Sequence, residues 1–387
     1  MKLNQGDLQR LVELRHEIHQ HPELSGKEEA TPHRILKFLR DSPPDVVLND
    51  IGGEGMILIY DSGKKGPNLL FRCELDALPI DEINSISYRS KYSDVAHVCG
   101  HDGHMAIITG LGLIFGKQKP PAGKIILLYQ PAEETGEGAF KMMQDEVLKD
   151  LKVDLGFAQH NLPGYKKGQI VLSENIFAAA SRGITIHLEG KTSHAAEPEH
   201  GINPAQAVSA IINAFNQLHQ QSDLFEDFVL ITPIHIQLGS IAFGTSAGKA
   251  EMRFTLRAFR DVDMQKLMHE AEEIIKRIAL KERLKFDFEY NEIFPTTRNH
   301  PEALKYLHKS AEQLGLNYIY KKTPFRWSED FGQFKSRFKT SFFGIGAGEN
   351  QPDLHNPDYD FPDELIQMGI TFFYQIAEEV WKAYNLN

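Results

Sequence analysis

Apolar positions give the first division of the chain. Leu8, Leu11, Val12, Leu14 and Ile18 recur at helical spacing. His19, His21 and Pro22 break that pattern, and a second helix is expected from about 28 to 40, ahead of Pro43-Pro44. The runs 56–60 and 68–71 are short, apolar and bounded by glycines, as buried strands are. Two further strands are expected at 124–129 and at 153–158, the latter ending at His160. The run 105–115 is apolar apart from Thr109. Strands alternating with helical runs imply a mixed, mostly parallel sheet, in which chemistry sits at the carboxyl ends of central strands.

The pattern changes after about residue 181. A strand at 183–188 precedes a helix at 203–221, with Pro204 in its first turn and Ala207, Ile211, Ile212, Phe215 and Leu218 on one face. Strands follow at 228–238 and 250–259, then a helix at 263–283 and a strand at 286–290. This is the β-α-β-β-α-β order of a ferredoxin-like unit. The first pattern then resumes, with a helix at 301–314, a strand at 341–345 and a helix at 363–384. The expected organisation is a catalytic α/β domain of residues 1–180 and 294–387, with an inserted α+β domain at 181–293. The 387-residue length suits two domains.

Composition narrows the partners. The net charge of −11 argues against nucleic acid and against docking on an anionic membrane. No apolar run reaches the roughly 20 residues of a membrane span, and the first twenty residues lack the apolar core of a secretory signal. Two cysteines, Cys73 and Cys99, exclude a disulfide framework and point to a reducing, cytoplasmic setting.

The densest chemistry lies in His97-Val98-Cys99-Gly100-His101-Asp102-Gly103-His104. Cys99 and His101, two apart, can face one side. Glu133 and Glu134 follow the strand at 124–129, so one can bind metal while the other takes a proton. His160 ends a strand, and His355 lies in a loop near the C-terminus. One thiolate, three imidazoles and a carboxylate form a mixed N/O/S set that suits zinc, with other transition metals as alternatives. Five donors exceed one closed four-ligand site. Two metals sharing the thiolate, with a position open for water, fit the set better than a single structural zinc.

Seven sequence words, RCELDALP, HVCGHDGH, YQPAEE, HNLP, GKTSHAAEPEHGINP, SEDF and LHNPDYDFPDE, run in order along nearly the whole chain. Together they resemble the amidohydrolase branch of the aminoacylase-like two-metal peptidases, which includes hippurate hydrolases, N-acetyl-diaminopimelate deacetylases and auxin-conjugate hydrolases. The resemblance implies a zinc-peptidase-like catalytic domain and hydrolysis of the amide bond of small N-acyl amino acids. It makes Cys99 the bridge between two divalent ions, zinc first, with manganese, cobalt or nickel as alternatives. It assigns His101 and His160 to one ion and Glu134 and His355 to the other. Glu133 becomes the general base, Asp76 the carboxylate orienting a ligand histidine, and His194 the residue that polarises the substrate carbonyl. It also implies a lid-like inserted domain that can build a homodimer. The rival readings are a dipeptidase or aminopeptidase of the same superfamily and a binding protein on a dead hydrolase scaffold.

Other residues read more plainly. His16, His19 and His21 are expected to be solvated, Asp102 to cap the helix that follows, and His97 and His104 to be supports or bystanders. Arg253 and Arg257 share a strand face, where a surface ion pair is the expected role and a substrate carboxylate the alternative. Glu329 and Asp330 match a family word, although Asp at a turn is often a cap. Two positions depart from the family pattern. Glu74 stands where Asp is usual, and Gly244 replaces an Asn that commonly touches substrate, so substrate recognition is where a difference is expected.

Overall fold

The computed structural model describes residues 3–220 and 223–384. The expected last residue of the 203–221 helix and the outermost chain ends lie outside the described residues. The chain forms two compact units. One comprises Met1–Phe177, Thr297–Thr323 and Asp330–Asn387, and the other Ala178–Thr296 and Pro324–Glu329. Sequence reading placed 324–329 in the catalytic part. The segment groups instead with the second unit, where the Ala179 amide donates to the carbonyls of Phe325 and Trp327 at 3.0 and 3.2 Å.

The first unit is built on an eight-stranded sheet. Its order is Val46–Ile51, Gly55–Asp61, Lys124–Gln130, Asn68–Glu74, Leu155–Pro163, Lys339–Gly348, Ile170–Leu172 and Tyr318–Tyr320. Asn68–Glu74 runs parallel to both Lys124–Gln130 and Leu155–Pro163, and Lys339–Gly348 runs parallel to Leu155–Pro163. Gly55–Asp61 is antiparallel to its neighbours. These central strands are buried nearly end to end, which explains why they read as unbroken apolar runs rather than alternating ones. Helices Gln5–Gln20, His101–Lys117 and Glu364–Ala383 pack into the same core as the sheet. Every residue from His101 to Phe115 is buried.

Leu155–Pro163 runs past His160, which therefore lies inside the strand rather than at its end. The short strands Val46–Ile51, Ile170–Leu172 and Tyr318–Tyr320 escaped the sequence pattern. The first is largely exposed, and the other two have only three residues each. The expected helix at 28–40 is shorter, Ala30–Phe38 followed by a 3₁₀ turn. The Glu23 carboxylate accepts from the amides of Ala30 and Thr31 at its start.

The second unit has one four-stranded antiparallel sheet, in the order Val229–Leu238, Lys249–Ala258, Ala180–Glu189 and Lys285–Phe294. Helices Ala205–Leu218 and Asp261–Lys281 supply the rest of its core. Ala250, Met252, Phe254, Leu256 and Ala258 point into that core, the period of a sheet covered on one face. Phe254 packs edge-on against Phe215 of the first helix, at 4.9 Å between ring centroids. Pro204 sits just before that helix rather than in its first turn. Among the described residues no helix is long and apolar enough to cross a membrane.

One cluster overturns two expectations. His19 is fully buried, not solvated. Its Nδ1 lies 2.9 Å from Asp102 and its Nε2 3.2 Å from Glu82. Asp102 is no helix cap; Gly100 holds that position. Asp102 instead pairs with the buried guanidinium of Arg15 at 3.2 Å, which also reaches Asp360 and Asp363 at 2.8 Å. His16 stacks on Tyr88 and bonds Asp363, while His21 bonds the Glu17 carbonyl. Burial alone would lower the His19 pKa, but its bonds to Asp102 and Glu82 raise it to about 9. The stabilisation from its charge is therefore complete below the unfolded value of about 6.5 and fades as pH climbs through about 9. His19→Gln is expected to lower unfolding free energy by on the order of 3 kcal/mol at pH 6. Denaturant titrations at pH 6 and pH 9.5 should show this deficit shrinking, and an equal deficit at both would contradict the ion-pair account.

Candidate metal centre

Three central parallel strands bring residues in or just beyond their carboxyl-terminal halves to one end of the first unit's sheet. Asn68–Glu74 leads into Asp76, and Lys124–Gln130 leads into Glu133 and Glu134. Leu155–Pro163 carries His160 and Asn161. Cys99 and His101 flank the start of the buried helix. They are separated by Gly100, whose backbone is left-handed at φ 97°. A Cβ at Gly100 would lie 2.5 Å from the Asn161 side chain, so only glycine admits this turn. The His355 loop is anchored by its own amide, which donates to the Val98 carbonyl at 2.9 Å.

The structure brings seven of the eight expected residues together. Cys99, His101 and His160 form one group of donor atoms, and Cys99, Glu134 and His355 form another, each mutually within 4.8 Å. Cys99 Sγ lies 3.4 Å from His160 Nε2. His355 Nε2 lies 3.6 Å from Glu134. His101 Nε2 faces Glu133 and Glu134, each at 3.9 Å. His194, the eighth, belongs to the second unit. It is exposed on the short strand Ser193–His194, opposite Thr245, and its Nδ1 accepts from the Ala196 amide at 3.1 Å.

The donor set fits divalent cations. Buried His101 Nε2 makes no hydrogen bond, although a buried polar atom ordinarily has one. Its other nitrogen is fixed by the Asp76 carbonyl at 2.9 Å and lies 3.4 Å from the Asp76 carboxylate, the outer support typical of a metal-binding histidine. Burial would lower the His101 pKa, yet the Asp76 bond and the surrounding carboxylates lift it to about 10. Burial, Glu134 and Glu133 together push the Cys99 thiol well above its ordinary value. Positive charge is what this pocket favours, and a bound cation would take the place of those protons. His160 is shifted well down, by burial and then by His104, and is held neutral as a ligand must be.

Behind the donors lies a buried polar line. Arg72 pairs with Glu74 and, at 2.8 Å, with Asp330. Glu74 takes a 2.7 Å bond from His104 Nδ1, and the other nitrogen of His104 meets Asn161 Oδ1. Asn161 in turn donates to the Cys99 carbonyl at 3.1 Å and to the Tyr359 hydroxyl at 2.6 Å. His104 is thus a support. His97 is buried without a hydrogen bond, and burial lowers its pKa to about 3, keeping it neutral. Asp330 both pairs with Arg72 and accepts from the Ala139 amide at a helix start, at 2.9 Å. In the second unit, Arg253 makes the expected ion pair, with Glu251 at 2.7 Å. Arg257 instead donates to the Arg326 carbonyl and Ser328 hydroxyl at 2.8 and 3.1 Å. Sequence reading gave no role to Asn161 and Tyr359, although each lies inside a word that carries a candidate ligand, HNLP and LHNPDYDFPDE.

An α/β sheet with this donor set at its strand ends has the build of a metal-dependent hydrolase. The chain belongs to the peptidase family M20/M25/M40, whose pattern it matches over residues 70–379. It is 28% identical to a hippurate hydrolase of Campylobacter jejuni, over 96% of each chain. It is 26% identical to an N-acetylcysteine deacetylase of Bacillus subtilis, over 95% of this chain and 96% of that one. The fold superposes on the YXEP protein of Bacillus subtilis, described as a dinuclear metal-binding peptidase of the M20 family. That match has a TM-score of 0.83 and 24% identity, over 98% of this chain and 99% of the other.

Removing Glu74 leaves Arg72 and His104 facing each other without their shared carboxylate. Breaking a buried ion pair from one side costs about 3–5 kcal/mol. Glu74→Ala is expected to lose that much in chemical denaturation, and Glu74→Asp, the usual family residue, less. A Glu74→Ala variant as stable as the parent would remove the buried line as a support.

Proposed function

We propose that the protein hydrolyses the amide bond of small N-acyl amino acids, with two divalent cations and Glu133 as general base. The observation that carries this reading is the pair of three-donor groups sharing Cys99. Cys99, His101 and His160 would hold one cation, and Cys99, Glu134 and His355 the other. When bound, the cations supply Lewis acidity and bring the pKa of water toward neutrality. Zinc suits the N/O/S set best, with manganese, cobalt or nickel as alternatives.

Glu133 belongs to neither donor group with Cys99, and its carboxylate stands beside His101. In this reading it takes a proton from the attacking water and passes it to the leaving amine, whose expulsion from an amide requires protonation. Asp76 holds the His101 ring in place. His194 polarises the substrate carbonyl, as the family resemblance implies. The substrates named for the two relatives support the substrate class, since hippurate is N-benzoylglycine and N-acetylcysteine is likewise an N-acyl amino acid.

Glu133→Gln is expected to cut kcat by roughly 10²–10⁴-fold while metal content, measured by elemental analysis, stays at the parent value. Chelation should abolish turnover, and added zinc, manganese or cobalt should restore it. A panel of N-acetyl and N-benzoyl amino acids against free dipeptides tests the substrate class. Faster turnover of dipeptides would move the reading to a dipeptidase.

The same reading includes a homodimer through the second unit. Val229–Leu238 is an edge strand of its sheet, and Ile234, Ile236 and Leu238 are exposed along it. Ile241 and Phe243 are fully exposed on the loop that follows. An unprotected apolar edge is a natural place for strand-to-strand pairing with a second copy. Ile236→Lys is expected to convert a dimer to a monomer in sedimentation velocity. A parent chain that sediments as a monomer at micromolar concentration would rule the dimer out.

A further inference from the structure

The turn that presents Glu133 is held at an uncommon backbone angle. Ala132 has φ 49°, in the left-handed region, where a non-glycine residue carries strain that its surroundings must override. Two buried carboxyls supply the restraint. Glu28 Oε1 accepts from the Ala132 amide at 2.7 Å, and Asp76 Oδ2 accepts from the Glu134 amide at 2.9 Å. The residue between those amides is Glu133. The far side of the turn is closed by backbone bonds, from the Gly136 amide to the Glu133 carbonyl at 2.8 Å and from the Gly138 amide to the Ala132 carbonyl at 3.0 Å. Gly138 is obligatory, because a Cβ there would fall 1.6 Å from the Pro131 carbonyl oxygen.

Both carboxyls are tied to one stretch of chain. Ser25 donates to Asp76 Oδ2 at 2.7 Å, and three residues on, Glu28 reaches the Ala132 amide. The stretch lies along the strand exit, where the Ala77 amide donates to the Glu23 carbonyl at 2.8 Å. Glu28 is fully buried, and its second oxygen makes no hydrogen bond of normal geometry. No described Lys or Arg bonds it.

We propose that Glu28 is a positioning residue for the general base, its buried carboxyl fixing the Ala132 amide as Asp76 fixes the Glu134 amide. The inference rests on the role given to Glu133 above. Glu28 acts through the backbone and touches neither substrate nor cation. Its charge state agrees with that role. Burial, then the Asp76 charge, raise its pKa to about 7 against the pull of the Ala132, Glu28 and Gly26 amides. A protonated carboxyl still accepts on one oxygen, so a glutamine side chain can take its place.

The test compares Glu28→Gln, Glu28→Met and Glu28→Asp in the metal-loaded enzyme, with an N-acyl amino acid as substrate. Glu28→Met and the shortened Glu28→Asp lose the bond to Ala132. Each is expected to lower kcat by about 10–100-fold, the range for a small misplacement of a reacting group, with KM within about 3-fold and metal per chain unchanged. Glu28→Gln keeps the acceptor and is expected to retain kcat within a few-fold of the parent. Three results would overturn the inference: unchanged kcat in the soluble Glu28→Asp protein, a loss that tracks loss of metal, or equal losses in Glu28→Gln and Glu28→Met. The Glu133→Gln variant, assayed alongside, separates the two claims. If it keeps turnover, the reading of Glu133 fails. If it is inactive while Glu28→Met and Glu28→Asp match the parent, the role of Glu28 alone fails.

Discussion

The constraint on which the first unit depends is negative charge gathered inside a protein. Glu74, Asp76, Asp102, Glu133 and Asp330 are all buried. A lone buried carboxylate is costly enough that it ordinarily takes a proton instead. Here most of them find cations. Arg72 answers Glu74 and Asp330, while Arg15 and His19 answer Asp102. The carboxylates around Cys99 act on their neighbours, and both His101 and Cys99 are shifted toward their protonated forms. Two divalent ions are the balance that this reading supplies. Cations held there would complete an ion network that arginine and histidine compensate elsewhere.

Compensation of this kind fixes geometry more than it adds stability, because desolvation consumes much of what a buried ion pair returns. The gain is directional. Arg72 and Glu74 are two apart on one strand and so share a face. From that face the line runs through His104 and Asn161 to the carbonyl of Cys99 and the hydroxyl of Tyr359. Asn161 thereby links the segments bearing Cys99 and His160 to the residue that closes the His355 loop. Donors from four stretches of chain must converge within a few ångströms, and a single amide side chain holds three of them in register. The fourth, bearing Glu133 and Glu134, is held by Asp76 and Glu28 in the same manner, carboxyl to backbone amide.

Much of this was legible in the sequence, for a physical reason. Central strands buried on both faces must be continuously apolar, so Lys124–Gln130 and its neighbours announced themselves, as did the helices of the second unit through their one-sided apolar faces. The donors were legible because Cys, His and Glu stand out in words that carry little else. The supports were not. His19 looked like a surface residue because its helix is amphipathic overall, and only the fold places Asp102 and Glu82 against it. Glu28 sits in a Lys-Glu-Glu run that resembles any acidic helix start. Arg72, Asn161 and Tyr359 pair with residues between 57 and 258 positions away, and no periodicity reports such a contact. Local pattern encodes elements and donors, whereas the groups that orient them are defined by long-range packing alone.

The two departures from the family pattern fall on opposite sides of that distinction. Glu74 lies within the compensated line, bonded on one side to Arg72 and on the other to His104. An added methylene there is absorbed only because both partners remain in reach. Gly244 lies in an exposed loop of the second unit, with open space where its side chain would be, beside the equally exposed Ile241 and Phe243. A change in that loop disturbs no buried charge. The ion network therefore restricts what can vary around the candidate donors and leaves the loop free. Sequence change can therefore accumulate in this loop of the second unit without disturbing the buried charges of the first.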